Sequence, residues 1–136
     1  MDAKFRTVVN IPEFRFKTGY NHLNMFLGSC FTENIGAKMA ELKYPVDLNP
    51  FGILYNPASV AESLRILMNG KSFSETDLFQ QEGLWHSLLH HSRFSGTDME
   101  ETLEKINSRI KTSSEYLKNA GFLFITFGTA WIYRFK

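Results

Sequence analysis

The chain has 136 residues, enough for one domain with a real core, and its 43% hydrophobic content marks it as globular rather than disordered. Fifteen basic and 14 acidic residues, mixed along the chain, leave a formal charge of +1 and no electrostatic case for nucleic acid or an anionic membrane. A single cysteine excludes an internal disulfide framework and fits a reducing compartment or a functional thiol. The opening MDAKFRTVV lacks a secretory apolar stretch, and no apolar run approaches the roughly 18 residues of a membrane span, so the expected location is cytoplasmic.

Residues 4–16 alternate loosely (Phe5, Val8, Ile11, Phe14, Phe16) and read as an extended lead-in or an edge strand, since Pro12 removes a ladder donor. A turn at 18–21 precedes a first strand at about 24–28. The first helix spans about 31–42, with Phe31, Ile35, Met39 and Leu42 as its expected buried face. A short second strand at 46–48 leads into NPFGILYNP, where Asn56 as cap and Pro57 at the first helical position start a second helix. That helix is expected to bury Val60, Leu64, Leu67 and Met68 and to stop at Asn69-Gly70.

Ser74–Asp77 fits a single capped turn, and Glu82-Gly83 fits a two-residue hairpin between 78–81 and 84–87. The segment WHSLLHHSRF is too long for a plain connection and reads as an insertion over the edge of the site. Thr97-Asp98-Met99-Glu100 is a capping box opening a third helix, whose apolar stripe is Met99, Leu103, Ile106, Ile110, Leu117 and Ala120. FLFITF at 122–127 reads as a strand buried on both faces, followed by a turn at 128–131 and a short strand at 132–135.

Helices alternating with strands predict a three-layer α/β/α sandwich around a parallel sheet of order 2-1-3. The residues following the three strands then converge at one edge: Gly28-Ser29-Cys30, Asn49–Gly52 and Gly128–Trp131. The first turn offers two small nucleophiles, Ser29 and Cys30, beside a helix N-terminus. The plainer alternatives are Cys30 as a packing residue and Ser29 as a helix cap. His86 and His90 would supply two metal ligands only on a helix, and no third is evident, so neither metal nor cofactor is expected. A phosphate-binding turn lacks the P-loop lysine and the glycine-rich pattern.

GSCFTENIG, NPFGILYNP, WHSLLHHSRF and TFGTAW together resemble the GSCFA family, grouped with SGNH (GDSL-like) hydrolases, with Thr32 in place of the alanine in the family's name. The resemblance implies an SGNH- or flavodoxin-like sandwich and acyl-ester hydrolysis or acyl transfer, on an O-acylated carbohydrate or another small acyl ester. Laid over the Gly-Asp-Ser block, Gly28-Ser29-Cys30 puts Cys30 at the nucleophile position and Ser29 at the aspartate's. It further implies Gly52 as an oxyanion donor, with Asn49 or Asn56 adding a side-chain donor. Gly128 and Thr129 would stand in the third block, where Ala130 replaces the oxyanion asparagine. His90 or His91 remains as a substitute base or a polar lining.

The C-terminal Asp-x-x-His block has no counterpart before Lys136. Residues 1–136 are therefore expected to be the N-terminal part of a longer domain, inactive alone and open to self-association along the last strand. The alternative function is a non-catalytic binding or interaction module that keeps the fold.

Overall fold

The computed structural model describes residues 7–133. Its central sheet is parallel, in the order β2 (Val46–Leu48), β1 (Asn24–Gly28), β5 (Phe122–Thr126). Asn24 pairs with Val46 on one side and with Phe122 on the other, and Gly28 ends opposite Thr126. The order expected from right-handed crossovers is the one observed. Alternate residues of β1 serve opposite faces, as the pleat requires. Met25 and Leu27 enter the main core, whereas Phe26 stacks on Phe124 with ring centroids 4.5 Å apart.

On the Phe26 face lies α1 (Cys30–Glu41). The apolar stripe expected to be buried is not the contact surface: Thr32 and Gly36 are buried, while Phe31 is 64% exposed and Leu42 63%. The reason is close approach. A Cβ on Gly36 would lie 2.6 Å from Leu48 Cδ1, so the helix meets the sheet through its smallest side chains. Larger residues are turned outward by that contact.

The other face carries α2 (Pro57–Asn69) and α3 (Met99–Lys118), which pack together. Asn56 caps α2 by accepting the Ser59 N–H at 2.8 Å, and Gly70 closes it in a left-handed conformation. Ile66 takes the buried place expected of Met68, which is 72% exposed. The cap of α3 is Asp98 rather than Thr97; its carboxylate accepts the Glu101 N–H at 2.9 Å and meets the positive end of the helix. Val60, Leu67, Ile106 and Ile110 join Met25, Leu27, Phe51, Phe73, Leu78 and Phe94 in one core cluster. Among the described residues no helix is long and apolar enough to cross a membrane.

Strands β3 (Leu78–Gln81) and β4 (Leu84–Ser87) form the expected hairpin, with Glu82 and Gly83 both at positive φ as a primed turn requires. Residues 7–18 form no strand, so the edge-strand reading does not hold for them; Phe5 lies outside the described residues. No strand forms over 131–133, and the remainder of the expected final strand lies outside them. FLFIT is not buried on both faces. Among the described residues it pairs only with β1, and Leu123 is 43% exposed and Ile125 38%.

Candidate functional site

The turn after β1 is held by β5. Gly28 has φ +139°, and a Cβ there would lie 2.0 Å from the Thr126 carbonyl oxygen, so only glycine lets the two strand ends close. Ser29 donates its N–H to Thr126 at both the carbonyl (3.3 Å) and Oγ1 (3.2 Å). Its hydroxyl is buried, 2.8 Å from Thr126 Oγ1, which also bonds the Thr32 hydroxyl. Ser29 is therefore the residue before α1 without capping it, and its oxygen is committed to the hydroxyl cluster. Cys30 follows as the first helical residue, with its side chain exposed. The backbone N–H groups of Cys30, Phe31 and Thr32 have no acceptor among the described residues.

The three loops do converge. Residues 54 and 55 run between the ends of β1 and β5: Leu54 donates to the Gly28 carbonyl at 2.9 Å, and the Tyr55 carbonyl accepts from Gly128 (2.8 Å) and Thr129 (3.1 Å). A Cβ on Gly128 would lie 2.9 Å from Tyr55 Cδ1 and 3.7 Å from Ser29 Cβ. The Gly52 N–H turns back to the Asn49 carbonyl at 2.8 Å. Asn49 is fully buried at φ +41°; its Oδ1 accepts the Gly28 N–H at 2.8 Å and its Nδ2 donates to Glu33 at 2.6 Å. The Asn56 amide is spent on Ser59. In this conformation the uncommitted donors of the site are thus the first amides of α1, not those of Gly52, Gly128, Thr129 or the two asparagines.

The histidine segment docks on NPFG, as an insertion at the site edge would. His91 donates its N–H to the Phe51 carbonyl at 2.8 Å, and Gly52, at φ +87°, lies so close that a Cβ would sit 2.2 Å from His91 Cβ. His91 Nδ1 accepts the Arg93 N–H at 3.2 Å, which leaves the proton of the neutral ring on Nε2. His90 packs among Phe51, Phe73 and Phe94, with centroids 4.8, 4.9 and 5.2 Å away. Its Nδ1 is 2.9 Å from Ser87 Oγ, while Nε2 has no partner among the described residues. No hydrogen bond joins either ring to Ser29 or Cys30. His86 lies on β4, bonded to Ser95 and Gln81, so the helical spacing considered for a metal does not arise.

Burial pushes His90 down to about 4 from 6.5, and the charge of Lys71 adds to the effect. Because the unfolded chain takes this proton more readily, the contribution to stability is complete above pH 6.5. It is lost as pH falls from 6.5 through 4. Allowing for solvent reaching part of the ring, we expect a loss of about 2 kcal/mol. Urea unfolding of His90→Phe beside the parent at pH 7 and pH 4.5 checks this. The acid loss should be smaller in the variant, and equal losses would remove His90 as its source.

Thr126, Glu33, Tyr55 and Arg93 complete the site without standing out in the sequence, and Thr32, marked there only as a replacement of alanine, joins them through Thr126. Thr126 sits where the third strand ends, a position that marks it; the others carry no local sign. Two surface hollows on the α2–α3 flank, one lined by Lys71, Asn107 and Lys111 and the other by Leu64, Met68 and Leu117, include none of the turn residues.

These features define an α/β protein with a strand–turn–helix site at the switch point of a parallel sheet. The chain belongs to the GSCFA family, whose model matches residues 24–136. No curated protein and no solved structure matches it.

Proposed function

We propose that this chain carries the nucleophile end of an SGNH-like acyl-transfer site, with Cys30 as the attacking residue. The observation that supports it most is the division of labour at the turn. Ser29 is buried and bonded to Thr126, while the Cys30 thiol is exposed beside three free amides. In the proposed step, Cys30 Sγ attacks the carbonyl carbon of a small acyl ester, of which an O-acylated carbohydrate is the favoured class. The ester C–O bond breaks, the alcohol leaves with a proton, and the acyl group stays on sulfur as a thioester. Water or an acceptor hydroxyl then takes it, giving hydrolysis or transfer. The oxyanion of each addition would be held by the first amides of α1. No base is hydrogen-bonded to Cys30 among the described residues, so the described residues alone would be slow catalysts. A reducing, cytoplasmic setting suits the scheme because it keeps the lone thiol free.

The test is the rate of iodoacetamide labelling at pH 7, with Cys30→Ala as the blank. Cys30 in the folded protein should react about tenfold faster than the same thiol in urea. An aryl acetate should also leave one acetyl group on the parent and none on Cys30→Ala. A folded rate no higher than the unfolded rate would sink the proposal. The second reading, a binding module that keeps the fold, is favoured by the commitment of the Gly128 and Thr129 amides to Tyr55 and by Ala130. It requires that Cys30→Ala keep full function in cells.

A further inference from the structure

We propose that Arg93 is a positioning residue for the Cys30 turn, acting through Glu33 and Asn49. The inference rests on the reading of Cys30 as the reacting group. Arg93 uses both prongs of its guanidinium: Nη1 donates to Glu33 Oε1 at 3.0 Å and Nη2 to the Asn49 carbonyl at 2.7 Å. Glu33 Oε2 accepts from Asn49 Nδ2 at 2.6 Å, and Asn49 Oδ1 accepts the Gly28 N–H at 2.8 Å. A ring of three residues, closed through the main-chain carbonyl of Asn49, thus ends on the backbone of the turn. Arg93 is itself fixed, since Lys105 Nζ donates to its carbonyl at 2.6 Å.

The electrostatic consequence follows from position. Glu33 stands in the first turn of α1, three residues after Cys30, where side chains are about 5–6 Å apart at Cβ. A carboxylate there favours the helix but opposes any negative charge gathering on the Cys30 sulfur or on an adjacent oxyanion. Arg93 neutralises that carboxylate, and the contacts with Arg93 and Asn49 occupy both of its oxygens. Lysine would supply a point charge without the second prong.

Four variants of the chain test this: R93A, R93K, E33Q and R93A/E33Q. In R93A, Cys30 labelling at pH 7 should slow roughly five- to tenfold, the size expected for an unneutralised carboxylate one turn away. E33Q should label faster than the parent, because the Arg93 charge is then unopposed near Cys30 while glutamine still accepts from Asn49. R93A/E33Q should regain most of the parent rate, although it restores none of the bonds that R93A lacks. R93K should label at a rate between those of R93A and the parent, since it keeps the charge and loses the second prong. A purely structural role predicts a double variant no faster than R93A, and that result overturns the proposal. Hydrogen exchange gives a readout independent of the thiol. The Gly28 amide should exchange about tenfold faster in R93A and R93K while the Ile106 amide is unchanged. Unchanged exchange at Gly28 overturns the proposal even if Cys30 is reactive. A parent thiol no faster than in urea refutes the nucleophile reading instead, and Gly28 exchange then decides whether Arg93 holds the turn.

Discussion

Gly28→Ala should lower stability by about 3–5 kcal/mol, combining strain at a backbone conformation that alanine avoids with the steric cost of an added methyl in a filled space. The added Cβ would lie 2.0 Å from the Thr126 carbonyl oxygen, an atom of the paired strand that cannot swing aside. Relief requires β1 and β5 to separate at their carboxyl ends, which also breaks the Ser29 contacts to Thr126. Gly70→Ala is the matched control. Gly70 has φ +63° and nothing within 4 Å of where the new methyl would stand, so that change should cost only about 1 kcal/mol. Urea unfolding of the two variants checks the difference, and equal midpoints would show that the strand ends separate freely.

Phe51→Ala should cost about 3–5 kcal/mol, as for other buried aromatic truncations. Phe51 is fully buried although it lies in a loop, and its ring carries the His90 stack on one side. Emptying that place opens a cavity in the core and lets water reach His90. Two signatures should therefore appear together: a large loss at pH 7, and a smaller further loss between pH 7 and pH 4.5 than the parent shows. Calorimetry at the two pH values measures both. A large loss with unaltered acid sensitivity would separate Phe51 from the histidine's environment.

Strand order and helix starts were legible because they have local causes. The Asn56-Pro57 start and the Glu82-Gly83 hairpin are written in adjacent residues, and the parallel order follows from alternating elements and crossover handedness. The choice of buried face on α1 was not legible. Periodicity identified Phe31 and Leu42, but the contact is decided by how closely Gly36 lets the helix approach Leu48. The convergence of three loops could be foreseen from topology, whereas the partners within it could not. Arg93 is 44 residues from Asn49 and 60 from Glu33, and pairs so distant leave no periodic trace.

The outer margin of β5 gives the protein a practical sensitivity. Among the described residues nothing pairs with that margin, and the strand, with Leu123 and Ile125 exposed, contains no lysine or proline of the kind that keeps sheet margins apart. Recovery after denaturation is thus expected to become a race between closing the core and meeting another molecule. The first is independent of dilution and the second is not, so refolding yield should fall as the protein is concentrated.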